Sequence, residues 1–206
     1  MKIGVLALQG GFAEHAAALG CISGVDVWEI RKRADFGREL SGVIIPGGES
    51  TVMARLLADL RLLLPLREAV EAGLLVFGTC AGLILLARDV ADFSLPGIGL
   101  LDVKVTRNAY GRQLESFRCQ TEFADVGEVP MVFIRAPGIE SVGSGVKALA
   151  QVDGQIVAVR QNNILATAFH PELTDDIRVH KYFVDMIAGK KEAGAAYADS
   201  ESCAVV

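Results

Sequence analysis

The chain has 206 residues, 51% of them hydrophobic, and a net charge of −5. That length buries a good core in one domain without disulfide or metal staples. The acidic balance, with no Lys/Arg cluster to offset it, argues against a nucleic-acid binder, and no apolar run reaches the roughly 20 residues of a membrane helix. Cys21, Cys80, Cys119 and Cys203 are scattered, with no CxxC pair and no metal-ligand spacing. Neither a zinc site nor any cofactor is therefore expected. Residues 1–6 run directly into a strand pattern without a signal-peptide layout, so a reducing, cytoplasmic setting is expected.

In chain order, residues 3–8 form a near-continuous apolar run, as in a strand buried on both faces. Gln9-Gly10-Gly11 turns the chain, and Phe12, Ala16 and Leu19 stand at helical spacing over 12–19. His15 reads as a polar or partly buried surface residue with nothing near it in sequence to pair with. Strands are predicted at 25–30 and 42–45, and helices at 51–60 and 64–72 with Pro65 in a first turn. A strand at 74–77 and a helix at 83–87 follow. Strands and helices alternating at this spacing predict an α/β fold with a parallel sheet.

Beyond residue 89 the pattern changes. Strands are predicted at 101–106, 117–123 and 131–134, with a polar connection over 107–112. Asp153-Gly154 predicts a hairpin joining 146–152 to 156–160, and Asn162-Asn163 a second one leading into 164–169. The second half thus adds antiparallel strands to the parallel core. A helix is predicted over 175–188, containing His180 as a surface or packing residue. Residues 190–206 are small, polar and aperiodic and read as a mobile tail, which leaves one domain over 1–189.

Three motifs carry chemistry. Gly78-Thr79-Cys80-Ala81-Gly82 lies between an apolar strand and an apolar helix. This is the layout of a nucleophile elbow with Cys in place of Ser. The glycines suit a strained, closely packed turn, and a helix N-terminus favours a thiolate and offers N–H groups to an oxyanion. The competing reading is a small buried core cysteine. Pro46-Gly47-Gly48-Glu49-Ser50 ends a parallel strand and leads into a helix, with Ser50 as the expected N-cap. It lacks the GxxxxGK[ST] spacing of a phosphate loop and is otherwise an ordinary strand–helix turn. His170-Pro171-Glu172 closes the last strand. Pro171 biases His170 toward an extended conformation, in which side chains two apart start about 6–7 Å apart on one side. Glu172 can then orient His170 while the other ring nitrogen faces Cys80. The alternative is a polar strand end before a helix.

Taken in order, PGGES at 46–50, GTCAG at 78–82 and HPE at 170–172 resemble the class I, or triad, glutamine amidotransferases. LALQGGFAEH at 6–15, RNAYGRQLESF at 107–117, FIRAPGIE at 133–140 and ATAFHPELTDDIRVHKYF at 166–183 are similar to the glutaminase-subunit family of pyridoxal 5′-phosphate synthase. The likeness covers about residues 1–188. It implies a three-layer, flavodoxin-like fold and hydrolysis of L-glutamine to glutamate and ammonia through a glutamyl thioester. In that scheme Cys80 is the nucleophile, His170 relays the proton and Glu172 orients His170. It also implies that Gly48, Glu49, Ser50, Arg107, Ile134 and Arg135 line the glutamine site, and that Gly47, Gly48 and Ala81 serve the oxyanion. A partner synthase subunit would receive the ammonia, with Gln9-Gly10-Gly11 taking a role in activation by that partner. The alternatives are a triad amidotransferase serving another synthase, a Cys hydrolase or peptidase of related fold, and a non-catalytic α/β binding module. The intact set Cys80, His170 and Glu172 speaks against the last.

Overall fold

A computed structural model describes residues 1–37, 39–107, 109 and 116–189. The expected tail at 190–206 and most of the polar connection, Asn108 and 110–115, lie outside the described residues. The first half alternates strands and helices: β1 (Lys2–Leu6), α1 (Phe12–Gly20), β2 (Asp26–Ile30), β3 (Gly42–Ile45), α2 (Ser50–Asp59), α3 (Leu63–Glu71), β4 (Leu75–Thr79) and α4 (Ala81–Leu86). The second half is mostly strand: β5 (Ala87–Val90), β6 (Leu101–Thr106), β7 (Ser116–Phe123), β8 (Gly127–Ile134), β9 (Gly138–Val142), β10 (Lys147–Val152), β11 (Gln155–Gln161) and β12 (Ile164–Thr167), closed by α5 (Arg178–Ile187).

Among the described residues a nine-stranded sheet runs in the order β2-β1-β3-β4-β12-β11-β10-β7-β8. The pairings from β2 to β12 are parallel, and those from β12 to β8 antiparallel. This is the parallel core with antiparallel additions that the sequence predicts. Every residue of β3 and of β12 is buried, as strands covered on both faces require. The covering layers follow from the pleat. On β4, Phe77 points at α1 and α5, stacking edge-on against His15 and His180 and packing on Phe183. Its neighbour Gly78 points the other way, where a Cβ would strike Leu86 and Gly82 of α4. Helix α2 packs on α4. The chain leaves β1 for β2 on one side and returns to β3 on the other, so β1 and β3 flank a topological switch point. Loops after the carboxyl ends of such strands converge on one crevice.

Several boundaries differ from the sequence reading, each for a local reason. Ser50 is the first helical residue of α2, and the cap is Glu49, whose carboxylate accepts from Thr51 N at 3.3 Å. Helix α5 starts later than expected, because Thr174 and Asp176 use their side chains to accept from Asp176 N and Arg178 N. Such turns compete with helix for backbone donors. Strand β9 was not anticipated: it follows Pro137 and buries only Ile139, too weak an alternation to read. Strand β5 follows α4 with no loop and pairs with β6, which also pairs with β9, in a separate three-stranded sheet. The Asp153-Gly154 hairpin is present with φ of 49° and 76°, the signs a type I′ turn demands. Asn163 in the second turn donates to Val70 O and Leu74 O at 2.8 and 2.7 Å, tying the turn to the end of α3.

The largest departure concerns His15, which the sequence reading places at the surface, while His180 takes the packing place that is one of its two readings. Neither is at the surface: both are fully buried, and His15 Nδ1 lies 2.9 Å from His180 Nε2. The buried face of α1 is 15, 18 and 19, rotated from the 12, 16 and 19 stripe read from sequence. Burial lowers the pKa of both rings, that of His180 to about 3, with His15 adding to the effect at His180.

Two outcomes follow from this packing. A Cβ at position 82 would stand 2.1 Å from Ile45 O, whereas one at position 20 would meet nothing within 4 Å. Gly82→Ala should therefore cost roughly 1–3 kcal/mol in urea unfolding, while Gly20→Ala is neutral or slightly stabilising. Because His180 resists protonation until about pH 3 when folded but accepts a proton near 6.5 when unfolded, the unfolded state binds more protons between these values. Stability should fall as pH drops through that window. Thermal melts of His180→Leu should show a flatter acid limb than the native protein.

Candidate active site

Cys80 joins β4 to α4 with φ 46° and ψ −98°, a conformation costly for any residue with a Cβ. The surroundings hold it there. Cys80 N donates to Thr167 O of β12 at 2.8 Å, and Ile84 N donates to Cys80 O at 3.2 Å. Glycines at 78 and 82 let α4 lie against β4 and the end of β3. The sulfur lies 3.9 Å from Ile134 O, in a side chain that is buried but reaches the crevice. Ala81 opens α4, so its N–H is one that a helix leaves without an internal acceptor.

His170 follows β12, fixed by donation from its N–H to Val132 O of β8 at 2.8 Å. Its Nδ1 is 2.7 Å from Glu172 Oε1, and the neighbouring Cys80 acts with Glu172 to favour the charged ring. With Nδ1 engaged by Glu172, Nε2 is the nitrogen that serves Cys80. The sequence predicts this pairing, but the backbone achieves it differently. His170 has φ −108° and ψ 88°, and Pro171–Leu173 then forms a 3-10 turn rather than extended chain. Pro171 opens that turn, where its fixed φ and missing N–H cost nothing. Burial works against a charged His170, but Cys80 and the hydrogen-bonded Glu172 beside it outweigh it and push its pKa up to about 10. Glu172 is fully buried too. Burial would raise its pKa, yet its imidazole neighbours, His15 and the hydrogen-bonded His170, together hold it below the ordinary carboxylate range.

His15 is the site residue that the sequence reading missed. Its Nε2 lies 3.1 Å from Thr79 Oγ1 and 3.3 Å from Glu172 Oε2. The signal was its place on the helix that follows β1, at the switch point, three and four residues before Ala18 and Leu19 on the buried face.

The PGGES segment packs against the turn after β1. Gly47 O accepts from Gly11 N at 3.1 Å, and Gln9 Oε1 accepts from Glu49 N at 2.7 Å. Side chains are excluded here by space: a Cβ at 47 would stand 2.2 Å from His170 Cε1, and one at 48 would stand 2.3 Å from Gln9 Oε1. Ser50 is buried inside α2. Arg107 Nη2 sits 3.4 Å from both Glu49 Oε1 and Thr51 Oγ1, its guanidinium above the Phe93 ring. Ile134 and Arg135 are exposed, Arg135 in the left-handed region with φ 44°. Four loops, after β1, β3, β4 and β12, thus meet at one crevice. The Arg107, Ile134 and Arg135 positions come from β6 and β8.

Residues 5–189 match the SNO glutamine amidotransferase family. The chain is 55% identical over 193 residues to a pyridoxal 5′-phosphate synthase subunit PdxT of Streptococcus pneumoniae strain ATCC 700669, covering 92% of this chain and all of that protein. A crystal structure of a glutamine amidotransferase superposes with a TM-score of 0.86 at 44% identity, over 90% of this chain and 98% of that one. A glutamine amidotransferase from Thermotoga maritima shares the fold at a TM-score of 0.58 and 15% identity, over 94% of this chain and 86% of that one. The chain belongs to the SNO glutamine amidotransferase family.

Proposed function

We propose that this chain, as a glutaminase unit over 1–189, hydrolyses L-glutamine to L-glutamate and ammonia and passes the ammonia to a synthase subunit that makes pyridoxal 5′-phosphate. The observation that carries the reading is the buried His170–Glu172 pair beside Cys80 at its strained turn, set in a chain 55% identical to a protein named as such a synthase subunit. Cys80 Sγ forms a bond to the side-chain carbonyl carbon of glutamine, and the proton it gives up resides on His170 Nε2. The oxygen takes up negative charge, and N–H groups of Gly47, Gly48 and Ala81 stabilise it. His170 delivers its proton to the leaving nitrogen, the C–N bond breaks, and a glutamyl thioester and ammonia result. Water then attacks the thioester, giving its proton to His170, and glutamate leaves as the thiol re-forms. Glu172 keeps Nδ1 engaged throughout. No metal or cofactor enters these steps.

Free glutamine carries an α-carboxylate and an α-ammonium. Glu49 and Arg107, 3.4 Å apart at the crevice, present one complement to each, and Arg135 adds a second cation. Gly48, Ser50 and Ile134 complete the lining. Gln9-Gly10-Gly11 is bonded directly to the PGGES segment, so a subunit docking over that turn can adjust the oxyanion donors. A cytoplasmic location accords with a nucleophilic thiol that must stay reduced, and among the described residues no helix is long and apolar enough to cross a membrane.

The test is glutamate release from glutamine, with and without a pyridoxal 5′-phosphate synthase subunit. Turnover should rise when the subunit is added and vanish in Cys80→Ala. Glu172→Gln should lose roughly 10²–10⁴-fold in kcat with little change in KM. Turnover in Cys80→Ala, or activity only with an unrelated synthase, would refute the assignment.

A further inference from the structure

The triad accounts for one oxygen of Glu172. Oε1 is bonded to His170 Nδ1, while Oε2 is buried with no hydrogen-bond partner among the described residues. A carboxylate turns readily about its terminal torsion, and a turn here would carry Oε1 off His170. One group from α1 faces it, and the glycine before that helix leaves room for no side chain beside it. A Cβ on Gly11 would stand 3.2 Å from Oε1, and His15 Nε2 lies 3.3 Å from Oε2.

The protonation of His15 can be worked out from its neighbours. Both His15 and His180 are fully buried, and burial favours neutral rings with one N–H each. His180 Nδ1 has no partner among the described residues. An N–H there would be an orphaned buried donor, the rarer and costlier arrangement. The His180 proton is therefore on Nε2, where it donates to His15 Nδ1 at 2.9 Å. His15 must then carry its own proton on Nε2, directed between Thr79 Oγ1 and Glu172 Oε2. The opposite tautomers would turn a lone pair of His15 toward a buried carboxylate. The other charged groups whose fields reach the pair are His170 and Glu14 at His15, and Asp176 at His180.

We propose that His15 is a positioning residue for the triad: its Nε2–H, bonded to Thr79 Oγ1 and 3.3 Å from Glu172 Oε2, attracts that oxygen electrostatically and so keeps Oε1 on His170, and His180 fixes the tautomer that presents this proton. The kinetic consequence rests on the glutaminase reading above, whereas the tautomer assignment does not.

Two measurements test it. Long-range proton–nitrogen spectra of the full-length chain near neutral pH should show His15 and His180 both neutral and protonated on Nε2. A proton on Nδ1 of His15, or a charged ring, overturns the proposal. This spectrum needs no turnover, so an enzyme silent with the synthase subunit would count against the glutaminase reading and leave this assignment to the spectra. In the glutaminase assay with that subunit, His15→Leu should lower kcat roughly ten- to hundredfold with KM for glutamine nearly unchanged, and His15→Gln, which can still offer an N–H, should recover most of the loss. In a Glu172→Gln background His15→Leu should add little, because residues acting through one another are not additive. Native kcat in His15→Leu, a loss confined to KM, or an undiminished loss in the Glu172→Gln background each overturns the proposal. If His15→Leu does not fold, His15→Gln and His180→Leu decide. The first should stay close to the native kcat and the second should fall below it, and the reverse order overturns the proposal.

Discussion

A negative charge buried in a dry interior is tolerable only where the surroundings repay its lost hydration. Glu172 is that charge here, and the architecture around it reads as a set of answers to it. His170 covers one oxygen and His15 faces the other. His15 is steadied in turn by His180 from α5 and by Thr79, the last residue of β4 before Cys80. Helices α1 and α5, which look like sheet covering, thus meet beneath the catalytic strand ends with polar groups that the sheet's apolar face would otherwise exclude. The pKa of His170, raised by Cys80 and Glu172 to about 10 against its burial, draws in part on this carboxylate.

The second organising fact is geometric. Parallel strands deliver their carboxyl ends to one edge, and the divergence of the chain from β1 toward β2 and β3 opens a crevice there. Backbone fills much of it: Gly10, Gly47 and Gly48 lie so close to neighbouring groups that no Cβ fits. The loop after β1, the PGGES segment and the His170 ring form three touching layers.

The parallel core, the elbow, the HPE pairing and the hairpin at Asp153-Gly154 were legible because each rests on local rules: apolar runs, glycines at a strained turn, positive-φ residues between alternating strands. What could not be read depends on chain segments far apart. His15 and His180 are 165 residues apart, and nothing local marks either as the other's partner. Ser50 looked like a cap because hydroxyls commonly are, yet Glu49 one residue earlier took the role. Glu172 was paired correctly by an argument about extended chain, but a 3-10 turn makes the contact. The chemistry of the two side chains was a better guide than the assumed backbone.

Cys80 sits at φ 46°, where residues with a Cβ are strained by about 1–3 kcal/mol and glycine is not. Thermostability alone would favour glycine at the very position where this chain carries a thiol. In the reaction proposed above, Cys80 is thus the point at which stability and reactivity pull in opposite directions. A chain drifting under selection for robustness alone would shed its sulfur before its fold.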